Sequence, residues 1–263
     1  MLNECKNVVR TARLSHLWNA LADPSHALEA FKYHYRRIDE KKYIAFFAEG
    51  LGYGAEDVRV AYQDFHAREE VWARLRRDLY STPGSPGPQM IEDGPSLYLL
   101  VRLLKPSAMV ETGVAAGVSS CFILQAMQDN NKGRLYSIEV TSRIECCDKK
   151  TGWLVPDSLR HRWEFFIGDS KLVLGPLLDR LGKIDCFMHD SLHTYAHMYW
   201  ELSAVWPHLC PKGLLLAHDV GENRAFFDFM RKNRVSWGSY RVSGLLGGFL
   251  KPGGKIDPDA SKK

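Results

Sequence analysis

Apolar and polar positions follow two different rhythms along this chain. From about Leu14 to Tyr80 apolar side chains recur at helical spacing, among them Val58, Ala61, Tyr62, Phe65, Trp72, Leu75 and Leu79, with charged residues between them. "SHALEAFKYHYRRIDEKKYIAFFAEGLG" predicts one helix ending at glycine, and "GAEDVRVAYQDFHAREEVWARLRRDLY" predicts a second. The stretch "STPGSPGPQ", Ser81 to Gln89, holds three prolines and two glycines and interrupts regular structure.

Beyond that loop the rhythm changes. Asp93 with Pro95 two residues later predicts a helix start. Short apolar runs then alternate with amphipathic segments: Ala108 to Glu111, Arg134 to Val140, Trp163 to Ile167, Ile184 to His189 and Gly213 to His218. After Val220 follow a helix, "ENRAFFDFMRKN", and two strand-like runs, "VSWGSYRV" and "LLGGFLK". Strands separated by helices at this spacing predict an α/β fold with a doubly wound, mostly parallel sheet of seven strands. The division expected is a helical cap over residues 1–82 and a catalytic domain over 83–263.

Composition adds limits. The 263 residues and 45% hydrophobic content suit a packed core, and 35 basic residues interspersed with 31 acidic ones give a net charge of +4 without a basic tail. With charges so evenly mixed no nucleic-acid partner is expected, and no membrane partner is expected because no stretch reaches about 18 apolar residues. Six cysteines, Cys5, Cys121, Cys146, Cys147, Cys186 and Cys210, form no CxxC pair, so a reduced cytoplasmic protein is expected.

"MVETGVAAGVSS", Met109 to Ser120, joins the first run after the loop to its helix. Two glycines let the backbone turn and approach a ligand, and the helix start offers unpaired N–H groups. The spacing is acidic-x-Gly-x-x-x-Gly rather than GxGxxG, and a carboxylate at the strand end suits a cationic or amine-bearing ligand. With "YSIEV" ending the second strand and "FIGDS" ending the third, the chain resembles the class I S-adenosylmethionine-dependent methyltransferases over roughly Gln89 to Pro252. The resemblance implies a cofactor site in which the loop bearing Glu111, Gly113, Gly117 and Ser119 holds the methionine part. It places Glu139 at the ribose hydroxyls, Asp169 and Ser170 at the adenine, and Asp190 beside the methyl group.

"FMHDSLHTY", Phe187 to Tyr195, ends an apolar run in His189, Asp190 and His193. In the family this fourth strand and the fifth, here "LLLAHDV", meet at the transferable methyl, which brings His218 and Asp219 beside Asp190. Two carboxylates and an imidazole gathered without matching Lys or Arg repel one another unless a cation sits among them. Asp190 and Asp219 are the favoured ligands of a divalent metal, with His218 a third. Carboxylates suit Mg²⁺ or Mn²⁺, and the imidazole extends the range toward Fe²⁺, Co²⁺ or Zn²⁺. Because successive strand residues face opposite sides, either His218 or Asp219 is expected to reach the metal.

His193, three residues past Asp190, is placed to act as general base, while His189 is expected to face away and His208 to lie at the surface. His197 and Tyr195 stay undecided. "HDSLH" followed by "ELSAVWPHLCPKGLLLAHD" is similar to metal-dependent O-methyltransferases acting on sugars, natural products or catechols. The resemblance implies S-adenosyl-L-methionine, a divalent metal and a small-molecule acceptor, with a homodimer as the default assembly. Two alternatives stand beside it: a metal-independent N- or O-methyltransferase on nucleic acid or another acceptor, and a sheet retained for cofactor binding or diverted chemistry. In the cap, aromatic residues such as Tyr33, Tyr35, Tyr43, Phe46, Phe47 and Tyr53 wall a pocket or fill a core.

Overall fold

The computed structural model describes residues 44–45, 47–49, 52–86, 90–235 and 246–253. The first predicted helix, most of the cap aromatics and the run "VSWGSYRV" fall largely outside them. Within them, one sheet carries β1 (Ala108–Thr112), β2 (Arg134–Glu139), β5 (Trp163–Ile167), β6 (Ile184–His189), β7 (Leu209–Ala217) and β8 (Gly247–Leu250). A small antiparallel hairpin is made by β3 (Arg143–Ile144) and β4 (Lys149–Lys150).

Among the described residues the main sheet has six strands, in the order β5-β2-β1-β6-β7-β8, where seven were expected. All neighbours are parallel except β7 and β8, which run antiparallel. Apolar runs became strands because both faces are covered, and alternate residues sort to opposite faces. Met109, Cys186, Met188, Leu214 and Leu216 pack into one core, while Val110, Phe187, Leu215 and Phe249 pack into the other.

On the first face lie α1 (Ala55–His66), α2 (Glu69–Tyr80), α3 (Met90–Leu104) and α4 (Val118–Asp129). On the second lie α5 (Ser170–Leu181), α6 (Tyr195–Val205) and α7 (Ala225–Lys232). Helices α1 and α2 share their core with α3 and α4 through Phe65, Trp72, Leu97 and Phe122.

Two helix boundaries differ from expectation. The segment Gly54 to Tyr80 is two helices, broken at Ala67 and Arg68, although neither residue is a helix breaker. Tertiary contacts outweigh propensity there. The Phe65 carbonyl accepts from the Trp72 indole at 2.7 Å, and Arg68 reaches Asp129 at 2.8 Å. Helix α3 includes Met90, so Asp93 and Pro95 lie inside it rather than at its start. Gly94 between them lets α3 press on α4: a Cβ there would stand 2.2 Å from the Phe122 ring.

Candidate active site

The carboxyl ends of β2, β1, β6 and β7 stay in register past the strands themselves. Gly113 N–H donates to Ile138, Asp190 N–H to Thr112 and His218 N–H to His189, at 2.9, 2.8 and 2.8 Å. Gly113, with φ of +85°, is required by this closeness, since a Cβ on it would lie 2.0 Å from the Asp190 carbonyl oxygen. The tips surround a cavity of about 540 Å³ whose wall includes Gly113, Glu139, Asp169, Ser170, Asp190 and His197.

At one end Glu139 accepts backbone N–H groups of Val114 and Ala115 at 2.9 and 3.0 Å, tying the glycine loop to β2. Asp169 caps α5 by accepting from Lys171 N–H at 2.9 Å. Ser170 Oγ meets His197 Nε2 at 3.2 Å. The undecided His197 is therefore part of the wall, whereas Tyr195 lies outward against Asp228.

Three residues placed at the cofactor by sequence lie elsewhere. Glu111 is fully buried beneath the loop, accepting hydroxyls from Ser119, from Ser120 at 2.7 Å and from Ser137 at 2.8 Å. Ser119 is spent on that contact, and neither residue is on the cavity wall. Burial pushes the Glu111 carboxyl up to about 7 against the pull of its hydroxyl donors. Gly117 shapes the loop instead of lining it, at φ of +88° with Gly152 and Val155 packed close. The excursion from Thr141 to Ser158 thus supports the loop from behind: Gly152 N–H donates to Ala115 and Leu154 N–H to Ala116, at 2.8 and 3.1 Å.

At the other end four chemical groups converge. His218 Nδ1 stands 3.1 Å from Asp190 Oδ1 and 3.4 Å from Asp219 Oδ2. His193 Nε2 stands 3.6 Å from Asp190 Oδ1 and 3.5 Å from Asp219 Oδ2. The expected choice between His218 and Asp219 does not arise. Strand β7 ends at Ala217, and a left-handed φ of +52° at Asp219 turns its side chain back to the side His218 occupies. Asp tolerates that conformation better than most residues.

Sequence reasoning missed Asp93, read there as a helix start. It is 1% exposed, and its Oδ2 lies 3.5 Å from His218 Nε2. Burial alone would disfavour the charged ring, but Asp190, Asp219 and Asp93 outweigh it and hold His218 well above the ordinary imidazole range. Burial holds His193 below that range, with Asp190 and Asp219 pulling the other way.

Behind the tips lies a second missed residue, Glu201 on α6, also fully buried. It accepts from Thr112 Oγ1 at 2.6 Å and Ser191 Oγ at 3.0 Å, and meets His189 Nδ1 at 2.6 Å and His197 Nε2 at 3.0 Å. His189 turns its Nδ1 to this hub, while its ring packs edge-on against His193 with centroids 5.5 Å apart. His208 is half-buried, against the Gly182 carbonyl at 3.0 Å.

The donor set fits a divalent cation. Asp190, His193 and His218 each offer an atom within 4.8 Å of the others. Both His218 nitrogens and His193 Nδ1 are buried without a well-formed hydrogen bond, although carboxylate oxygens face the two His218 nitrogens. Separations of 3.1 to 3.6 Å match neighbouring ligands about one metal at roughly 2.1 Å. Mixed imidazole and carboxylate donors favour Mn²⁺, Fe²⁺, Co²⁺ or Zn²⁺ over Mg²⁺.

Residues 110–220 match the sequence family described as "Methyltransferase domain". Over that span the chain is similar to a methyltransferase domain. The match runs from β1 through the tip of β7, so it takes in the cavity and the cluster together. No curated protein sequence matches the chain. Among solved structures, a methyltransferase from Geobacter sulfurreducens is 19% identical, with a TM-score of 0.50 over 70% of this chain and 88% of its own. The O-methyltransferase TomG from Streptomyces achromogenes, involved in tomaymycin synthesis and solved with S-adenosylmethionine, is 17% identical with a TM-score of 0.48, covering 81% and 100%. An O-methyltransferase from Bacillus cereus is 12% identical with a TM-score of 0.46, covering 80% and 97%. Among the described residues, no helix is long and apolar enough to cross a membrane.

Proposed function

We propose that the chain is a methyltransferase acting on a hydroxyl of a small molecule, a vicinal diol of sugar, natural-product or catechol type, with a divalent cation at the Asp190 cluster. The observation that carries this reading is the convergence of His193, His218 and Asp219 on Asp190, which itself lines the cavity beside Gly113. A cavity of about 540 Å³ suits a small-molecule ligand.

S-adenosylmethionine supplies the electrophilic methyl group; Glu139, Asp169 and Ser170 hold its nucleoside end, and the Gly113 loop its methionine end. Asp190, His218 and Asp219 hold the cation, whose binding would acidify and orient a hydroxyl of the acceptor. His193, kept neutral by burial, takes the hydroxyl proton at Nε2. Asn223 fixes the loop that carries His193 by donating to its carbonyl at 3.1 Å.

A second reading follows from the trio within 4.8 Å, in which His193 is itself a ligand. Calorimetric titration of chelator-treated protein with S-adenosylmethionine, then with Mn²⁺, Mg²⁺ and Zn²⁺, separates the two. Under the leading reading Asp190→Ala abolishes the cation isotherm and turnover, while His193→Ala keeps cation affinity and loses rate. Loss of the cation isotherm in His193→Ala would favour the second reading. Full turnover of a diol in excess chelator would remove the metal altogether.

A further inference from the structure

Asp93 occupies a costly place. It sits in the run Asp93-Gly94-Pro95 inside α3, where Gly disfavours helix and Pro95 removes a backbone donor. A buried carboxylate is tolerated when it faces a partner, and here His218 Nε2 lies 3.5 Å from Asp93 Oδ2. Gly94 makes the placement possible by letting α3 approach Phe122 closely.

The two nitrogens of His218 therefore face two different settings. Nδ1 looks toward Asp190 and Asp219, where the donor atoms converge, and Nε2 looks back toward Asp93 alone among the carboxylates whose contacts with it are resolved. Resting on the proposed metal reading, the geometry points to Asp93 as a positioning residue: it takes the His218 Nε2 proton as acceptor, leaving the Nδ1 lone pair for the cation. Imidazole ligands of metals are commonly held this way by a carboxylate on the far nitrogen, and losing it weakens metal binding about 10–100-fold. The present 3.5 Å separation exceeds the ordinary N–H···O distance by roughly 0.5 Å, a gap that a small shift of either side chain closes.

The role assigns α3, an element outside the tips of the sheet, a share in the chemistry. It also accounts for a carboxylate at a buried position of α3 where an apolar residue would suit the helix better.

The test compares the wild type with Asp93→Ala and Asp93→Asn. Mn²⁺ affinity is measured by calorimetry on cofactor-loaded protein, and the His218 Nε2–H resonance by ¹⁵N-histidine NMR on metal-free protein. S-adenosylhomocysteine affinity controls for the fold. Asp93→Ala should weaken Mn²⁺ binding about 10–100-fold and move or erase the Nε2–H resonance, with S-adenosylhomocysteine affinity unchanged. Asp93→Asn, which keeps a carbonyl acceptor, should lose only a few-fold. Mn²⁺ affinity and Nε2–H resonance both unmoved in Asp93→Ala would overturn the role, as would loss of S-adenosylhomocysteine binding in both variants. A wild type that binds no Mn²⁺ would overturn the metal reading alone, and the Nε2–H resonance would then decide whether Asp93 orients His218.

Discussion

Glu111 and Glu201 are both carboxylates without exposed surface, and their neighbours treat them in opposite ways. Three neutral hydroxyls are all that offset the burial of Glu111, so its carboxyl rises to about 7. Burial would raise Glu201 too, but His189, His197 and the Thr112 hydroxyl hold it well below the usual carboxylate range. Linkage gives the two residues opposite signatures. Glu111 binds its proton more tightly folded than unfolded, so its contribution is complete below about pH 4.5 and is lost as pH rises through about 7. Glu111→Gln should flatten the decline in denaturant midpoint between pH 5 and pH 8, removing roughly 3 kcal/mol of pH dependence. Parallel curves for variant and wild type would show that Glu111 is ionised throughout. Glu201 is the reverse case: its contribution is present above the ordinary carboxylate range and lost as pH falls through and below it. Glu201→Gln should accordingly reduce stability at pH 7 and lessen the acid sensitivity of what remains, measured by urea titration from pH 7 to pH 3. Neither role was legible in the sequence. Glu111 stood at the right strand end, but nothing in "ETGVAAGVSS" says that Ser119 and Ser120 turn inward, and Ser137 comes from another strand. Glu201 lies within an apolar helix pattern, where only tertiary structure brings Thr112 and His189 to it.

Among the elements, the strands were easier to read than the helices. Parallel strands buried on both faces appear as apolar runs, as Ile184–His189 does, and the half-buried edge strand Trp163–Ile167 also falls where the pattern puts it. Helix ends depend on what the helix touches. The break between α1 and α2 has no local signal, because it is held by Trp72 donating to Phe65 and by Arg68 reaching Asp129. Trp72→Phe keeps an aromatic ring against Phe65 and Phe122 but removes the donor that satisfies the Phe65 carbonyl. Its cost should be about 1–3 kcal/mol in chemical denaturation, more than a surface change and less than the 3–5 kcal/mol typical of deleting a buried Trp side chain. A loss below about 0.5 kcal/mol would mean that the indole bond does not hold the break. Helix α3 misled in the other direction. Asp-x-Pro is a fair helix-start signal, yet α3 runs through it, because Gly94 and Asp93 answer to Phe122 and His218 rather than to helix propensity.

At the scale of the molecule, the doubly wound sheet gathers the ends of its parallel strands along one edge, and three carboxylates meet there. Asp93 arrives on α3, Asp190 from β6 and Asp219 from β7, with His218 among them. Each carboxylate gains from that ring, but the carboxylates also repel one another where they converge, and a cation among them would relieve that repulsion. Stability and function should therefore trade places as the cation is added. Asp219→Asn removes one negative charge, and Asn accepts the left-handed backbone at this position as readily as Asp. Without cation the variant should melt slightly above the wild type, because repulsion is relieved. With Mn²⁺ at about 100 times its dissociation constant the wild type should gain about 2.7 kcal/mol, several degrees in melting temperature, while the variant gains much less. The two melting curves would then cross as Mn²⁺ is titrated in. A variant that melts below the wild type at every Mn²⁺ concentration would mean that Asp219 is a structural partner of His218 and His193 rather than part of a cation site, and the metal would rest on Asp190, His193 and His218 alone.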